Sequence, residues 1–273
     1  MTKSAIITGG TGGMGIATAK ILGKDHRIVL ADRDQGRLDT VVSELSHQGI
    51  EAIGTICDIT DRTSLERVFD IATRGEHTVR AVVHTAGVSP QMGTAEFVTH
   101  INAIGTVNVT QAFLARAGEG DALVNVASVA GHGLPRVLVP FGAFPLAEED
   151  PAAFERVVVR RARVAGRKRH SGLAYAISKA FVIWYSQHRA ATFGTRGARI
   201  LSVSPGSFDT PMGYLEKDHG AADLLKTSAI KRFGQPEEIA AVLAFCAGEA
   251  PGYLTGTDIL VDGGTRAGTA HTN

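Results

Sequence analysis

Within the stretch SGLAYAISKAF, Ser171 to Phe181, two residues have types and spacing that could do proton chemistry: Tyr175 stands four positions ahead of Lys179. On a helix that spacing puts the phenol and the ammonium on one face, a turn apart. An ammonium held there favours phenolate over phenol and draws a tyrosine pKa from ~10 toward the working range of a proton-transfer catalyst. A solvated helix face can carry the same pair without any chemistry. The pair therefore gains meaning only if the rest of the chain supplies a cofactor and a second polar group.

A second candidate is the loop TGGTGGMG, Thr8 to Gly15, which lies between the β-branched run SAIIT and the helically spaced MGIATAKIL. Glycines there permit a tight turn and let phosphate oxygens approach amides at a helix N-terminus, as the pyrophosphate of a dinucleotide requires. The spacing fits both Gly-x-x-x-Gly-x-Gly (Gly9, Gly13, Gly15) and Gly-x-x-Gly-x-x-Gly (Gly9, Gly12, Gly15). Asp32 ends the next apolar run, RIVLAD, where a carboxylate can accept from both adenosine ribose hydroxyls and repel a 2′-phosphate. That favours NAD over NADP, although Arg33 beside it could neutralise a 2′-phosphate. Asp58, after the third apolar run, is placed either to meet the adenine amino group or to cap the following helix.

Composition narrows the partners. With 28 Lys+Arg against 27 Asp+Glu, the chain has no global field to recruit nucleic acid or an anionic membrane. Its histidines show no metal-ligand spacing, and Cys57 and Cys246 form no Cys-x-x-Cys, so no metal site is expected. The N-terminus enters an apolar strand without a signal-peptide pattern, and no apolar run approaches ~18 residues. A reducing, cytoplasmic location is the expectation.

Elements that could position these groups alternate along the chain. Apolar strands are expected at SAIITGG, RIVLAD, EAIGTIC, AVVHT, ALVNVAS, ARILSVS and DILVDGG. Helices are expected after the glycine loop and over 34–47, 61–73, 94–117, 172–193 and 236–248. Strands apolar throughout suit a parallel sheet covered on both faces, so the fold class is α/β, a doubly wound Rossmann-like sheet, mainly parallel and seven-stranded. Residues 1–264 are expected to form one catalytic domain, and 265–273 a mobile tail. The segment 132–170 interrupts the alternation as an insertion, in which Asp150 as N-cap and Pro151 open a helix. Phe154, Val157, Val158 and Arg161 would share one face of it, with Arg156, Arg160, Arg163 and Arg167 mainly outward.

The order of TGGTGGMG, Asp32, Asp58, HTAG (His84 to Gly87), Asn102, Ser128 in NVASVAG, Tyr175-x-x-x-Lys179, PGSFDTPM (Pro205 to Met212) and VDGG resembles the short-chain dehydrogenase/reductase family over essentially the whole chain. The resemblance implies a single-domain member, since the extended relatives need a larger C-terminal region. It also implies reversible hydride transfer between a nicotinamide, with NAD the form that Asp32 favours, and an alcohol or ketone, and a homo-oligomer, dimer or tetramer.

By the same resemblance Tyr175 is the general acid in reduction and the general base in oxidation. Lys179 lowers its pKa and holds the nicotinamide ribose, Ser128 donates to the substrate oxygen, and Asn102 supports a proton path to the lysine. A plain buried hydrogen bond is the alternative role for Asn102. Cofactor contacts are expected from Gly9, Thr11, Gly12, Gly13, Met14 and Gly15; from Asp32, Arg33, Asp58 and Ile59; from Thr85, Ala86 and Gly87; from Tyr175 and Lys179; and from Pro205, Gly206, Phe208, Thr210 and Met212.

Departures from the family pattern matter too. His84 and Thr85 stand where the family often has two asparagines. The 47-residue gap from Ser128 to Tyr175 and the short loop from Gly87 to Asn102 are similar to the bacterial 3α-hydroxysteroid dehydrogenase/carbonyl reductase branch. Leu134, Val137, Leu138, Phe141 and Phe144 either roof a pocket for a hydrophobic ketone or anchor the inserted helix. The arginines from Arg156 to Arg169 could receive an anionic substrate tail, form a subunit contact or simply face solvent. Residues 213–230 are expected to form a lid over the nicotinamide. A catalytically silent dinucleotide-binding regulator is the competing function.

Overall fold

The computed structural model describes residues 2–216 and 222–270. The first half of the chain runs β1 (Thr2–Thr8), α1 (Gly13–Leu22), β2 (Arg27–Asp32), α2 (Gln35–His47), β3 (Ala52–Ile56), α3 (Arg62–Ala72), β4 (His77–His84), α4 (Ala95–Thr99), α5 (Gly105–Leu114) and β5 (Ala122–Val126). The second half runs α6 (Leu146–Glu149), α7 (Pro151–Ala162), α8 (His170–Gly194), β6 (Arg199–Pro205), α9 (Pro211–Glu216), α10 (Ala222–Thr227), α11 (Pro236–Ala247), β7 (Asp258–Val261) and α12 (Thr265–Ala270).

The strands form one seven-stranded sheet in the order β3-β2-β1-β4-β5-β6-β7, and every pairing is parallel. The order reverses between β1 and β4, which opens a crevice at the C-terminal ends of those two strands. Apolar runs persist because both faces are covered: Ile7, Leu30, Val83 and Val203 pack against α1, α2 and α11, while Ile6, Val29, Val82 and Ile200 pack against α3, α5 and α8. This is the doubly wound Rossmann-like architecture.

Helix starts follow local chemistry. Asp34, Asp61 and Asp150 each accept from an amide in the first turn, at Arg37, Thr63 and Ala153 respectively. The helix expected over 94–117 is interrupted. Between α4 and α5, His100 to Ile104 form a π-helical turn, an insertion that sequence periodicity does not reveal.

The insertion builds a third apolar cluster on the outer face of α8. Phe144, Phe154 and Phe181 are fully buried there, and the Phe144 ring meets Phe181 edge-on at 5.3 Å. On α7 the buried face is Phe154, Val158, Val159 and Ala162, while Val157 and Arg161 are only half-buried. Arg156, Arg160, Arg163 and Arg167 are exposed, as their spacing predicts. Glu148 on α6 receives hydrogen bonds from Tyr185, Gln111 and Arg189, which fastens the insertion to α5 and α8. Burial, then the bond to Glu148, pushes the Tyr185 phenol far above its ordinary pKa.

The stretch expected to be a mobile tail instead begins with α12. Thr265 is buried, with its hydroxyl 2.5 Å from that of Ser228, and Ile230 N–H donates to the Gly263 carbonyl at 2.9 Å. Small residues let this happen: a Cβ on Gly264, whose φ is +79°, would lie 2.8 Å from Ala229 Cβ. Residues 271–273, and 217–221 of the expected lid, lie outside the described residues.

Candidate active site

The crevice at the β1/β4 reversal holds two cavities, of about 470 Å³ and about 290 Å³, that share walls at Gly9, Gly12, Thr85 and Gly87. The larger is within the range of sites that enclose a small molecule. Gly9 has φ +67°, and a Cβ on it would sit 2.7 Å from Ala86 N; a Cβ on Gly15 would sit 2.5 Å from the Gly9 carbonyl oxygen. At these two positions a side chain would collide with the backbone of the turn. α1 starts at Gly13 with no side chain capping its amides and no acid in its first turn, so its N-terminus offers free donors and positive potential to an anion.

Asp32, Arg33, Asp58 and Ile59 border the smaller cavity together with Thr11 and Ala86. The Asp32 carboxylate accepts from Thr11 N (3.0 Å) and Thr11 Oγ1 (2.6 Å) through one oxygen and from Arg33 N (2.7 Å) through the other. That fills both lone pairs of the first oxygen and one of the second, so the second keeps a lone pair for a ribose hydroxyl. Asp58 does not cap α3, as one reading of its position suggested; Asp61 does. Asp58 Oδ1 accepts from Thr60 N and Thr60 Oγ1, at 2.9 and 2.7 Å. Burial alone would raise the Asp58 pKa, but those two bonds and the nearby Arg33 outweigh it and hold the carboxyl below its ordinary value.

Gly13, Met14 and Gly15 from the first turn, Tyr175 and Lys179 from α8, Pro205 at the end of β6, and Gly206, Phe208, Thr210 and Met212 beyond it border the larger cavity. Ser128 joins them from the end of β5. Lys179 is 7% exposed; its Nζ donates to the Val126 carbonyl at 2.9 Å and lies 5.9 Å from the Tyr175 ring centroid. Ser128 Oγ accepts from Ala130 N at 3.2 Å, leaving its own hydrogen for another acceptor. The turn after Ser128 is wedged in place. A Cβ on Gly131 would meet the α8 backbone at Lys179 at 2.8 Å, and His132 Nε2 lies 2.8 Å from the Asp258 carboxylate at the start of β7.

Asn102 borders neither cavity. It sits buried in the π-helical turn, where its Oδ1 accepts from Val88 N (2.9 Å) and its Nδ2 donates to Val88 O (3.0 Å). The amide clamps the segment just after β4 from behind.

The insertion supplies no roof. None of Leu134, Val137, Leu138, Phe141 and Phe144 borders either cavity; Phe144 is spent in the aromatic cluster on α8. Apolar walls come from Val88, Met92, Met212 and Leu215 instead. Sequence reasoning also passed over Arg37, whose guanidinium donates to the Thr11 carbonyl at 2.6 Å and borders both cavities. Its signal was available: a cation one turn into the helix that follows Asp32 faces back toward the glycine loop. Met92 carried no such signal, whereas Leu215, on α9, belongs to the segment 213–230 expected to cover the nicotinamide.

The chain is similar to known proteins over nearly its whole length. A family model described as short chain dehydrogenase matches residues 3–143, and one described as Enoyl-(Acyl carrier protein) reductase matches residues 156–266. Short-chain dehydrogenase/reductase bsc3 of Alternaria brassicicola is 32% identical to this chain over 273 residues, covering 98% of it and 97% of the relative. The chain belongs to the short-chain dehydrogenase/reductase family. As such it is an oxidoreductase that binds a nicotinamide dinucleotide, which the glycine turn, the uncapped helix α1 and the elongated crevice fit. The 3-alpha-hydroxysteroid dehydrogenase/carbonyl reductase of Comamonas testosteroni is 29% identical over 272 residues, covering 96% of each chain. Among solved structures, a short chain dehydrogenase from Burkholderia cenocepacia J2315 in complex with NADP is 25% identical, with a TM-score of 0.75 and coverage of 97% of this chain and 98% of that one.

Proposed function

We propose that this dehydrogenase/reductase uses NAD(H) to interconvert a secondary alcohol and a ketone, the substrate being hydrophobic or steroid-like. The observation that carries the reading is that Ser128, Tyr175 and Lys179, from two different elements, border one cavity beside the glycine turn. In the oxidising direction the Tyr175 phenolate takes the alcohol proton, and in reduction the phenol returns it to the carbonyl oxygen. Ser128 donates to that same oxygen, where charge develops. Lys179, anchored on Val126, keeps a positive charge beside the Tyr175 phenol. When bound, the nicotinamide accepts or delivers the hydride at the substrate carbon, and Thr210 with Pro205 and Gly206 would hold its carboxamide.

Preference for NAD rests on the Asp32 carboxylate in the wall of the smaller cavity, which would repel a 2′-phosphate. The Burkholderia structure holds NADP, so the choice is tested directly by comparing NADH and NADPH binding through fluorescence. A hydrophobic substrate is supported by the walls of Val88, Met92, Met212 and Leu215, and a steroid-like one by the hydroxysteroid named for the Comamonas relative. Turnover of a panel of secondary alcohols and ring ketones, lost in Tyr175→Phe with NADH binding kept, is the decisive experiment. Tight NADH binding with no turnover of any substrate would revive the silent regulator, for which no observation speaks.

The wider reading treats residues 1–264 as one catalytic domain in a cytoplasmic homo-oligomer, dimer or tetramer. Two free, buried cysteines, Cys57 and Cys246, support a reducing compartment. Exposed Phe245, Tyr253 and Leu260, on α11, β7 and the loop between them, support self-association. Size-exclusion chromatography with light scattering reads the oligomeric state.

A further inference from the structure

His84 is a fully buried residue of β4 that the mechanism above does not use, and its bonds define a directed chain. Thr106 Oγ1 lies 2.7 Å from the Asn102 carbonyl oxygen. A carbonyl only accepts, so the Thr106 hydroxyl hydrogen is spent there. His84 Nε2, 3.1 Å from that same hydroxyl oxygen, must then be the N–H that donates to it. The bare Nδ1 accepts the hydroxyl hydrogen of Thr8 at 2.7 Å. Thr8 is the last residue of β1, opposite His84 in the sheet and next to Gly9. At the far end, Asn102 clamps Val88 through both atoms of its amide. A Cβ on Gly87 would lie 3.1 Å from Asn102 Oδ1 and 3.5 Å from Lys179 Nζ, so this floor has no slack.

We propose that His84 is a positioning residue for the reaction: a neutral imidazole of fixed tautomer at the centre of a hydrogen-bonded strut, Thr8–His84–Thr106–Asn102. The strut ties the root of the glycine turn to the Asn102 clamp and so holds the floor at Gly87 and Val88 against Lys179. Asparagine, the residue often found at this position in the family, is too short to reach both hydroxyls by the same route. Burial, with the Lys179 charge as a second cause, lowers the His84 pKa from 6.5 to about 3, which keeps the ring in the neutral form the strut needs.

This inference rests on the oxidoreductase reading, and the two fail differently. If that reading is wrong, the wild-type protein turns over nothing, before any variant is compared. Given turnover, Thr106→Val removes one link while keeping the shape of the side chain, and His84→Phe fills the ring's volume without its nitrogens. Each should lower kcat about tenfold, a little over 1 kcal/mol of barrier, while NADH affinity measured by fluorescence changes by less than about twofold. The double variant should be no slower than the worse single one, because both break the same strut. Thr110→Val is the control: its buried hydroxyl, one turn further along α5, has no partner among the described residues, and kcat should not change. Unchanged kcat in Thr106→Val overturns the proposal. So do losses that multiply in the double variant, or a loss in every variant that merely follows its melting temperature. Should His84→Phe fail to fold, Thr106→Val against Thr110→Val decides alone.

Discussion

Lys179 donates to the carbonyl oxygen of Val126 at 2.9 Å, and Val126 is the last residue of β5, two positions before Ser128. The lysine therefore does more than place a charge beside Tyr175. It also ties α8, through a buried cation, to the strand that leads into Ser128. Lys179→Met should lose both effects: kcat is expected to fall by ~10²–10⁴, the range for a positioned proton-transfer group. Leaving the Val126 carbonyl without its donor should also cost ~1–3 kcal/mol of stability by denaturant unfolding. Tyr175→Phe should match the kcat loss with little change in stability, since the ring is kept. A Lys179→Met enzyme as stable as wild type would show that the Val126 bond carries no weight.

Asp32 is held from three sides, by Thr11 N, Thr11 Oγ1 and Arg33 N, which aims the carboxylate without consuming all its acceptor capacity. Removing the charge in Asp32→Asn should raise the ratio of NADPH to NADH affinity by about tenfold or more, ~1.4 kcal/mol. Arg33 and Arg37, both bordering the same cavity, stand ready to meet a 2′-phosphate once the carboxylate is gone. Fluorescence titration with each cofactor reads the ratio; no change in it would mean that Asp32 does not choose between them.

Phe144 ties the insertion to the helix that carries Tyr175 and Lys179, but it does so on the face turned away from the cavity. Phe144→Ala should therefore destabilise the protein by ~3–5 kcal/mol, as a fully buried aromatic truncated to a cavity does. At a temperature where the variant is still folded, KM for a hydrophobic ketone should stay within about twofold of wild type. A large rise in KM at full folding would instead place the insertion at the substrate.

The glycine turn, Asp32, Ser128 and the Tyr175/Lys179 pair were legible because each sits where a strand ends or a helix turns, and strand ends in a parallel sheet gather at one edge. Local chemistry also announced α7, through Asp150 and Pro151. What stayed hidden depends on contacts between distant segments. At the π-helical turn the Asn102 side chain grips Val88 through both atoms of its amide, and no periodicity within 94–117 encodes that grip. Phe141 and Phe144 read equally well as roof or anchor, since an apolar side chain does not say which apolar surface it will cover. The C-terminal α12 has polar composition and docks through glycine and hydroxyl contacts, which a search for apolar spacing passes over.

Acid should weaken this fold through His84. Its pKa falls from 6.5 to about 3 on folding because the buried ring cannot easily take a charge, with Lys179 adding repulsion. Below pH 6.5 the unfolded chain binds a proton at this imidazole that the folded chain refuses, so protonation favours the unfolded state. The group's stabilising contribution is complete above 6.5 and is lost as pH drops toward 3, with a limiting slope of ~1.4 kcal/mol per pH unit. Other buried or paired groups titrate in the same range, so the comparison must be between variants. The wild type and His84→Phe, unfolded by urea at pH 7 and at pH 5, should differ in how much stability they lose on acidification, with the wild type losing more. Equal losses would mean that the imidazole accepts its proton inside the fold, and the Thr8 bond to Nδ1 could not then be as strong as its 2.7 Å separation implies.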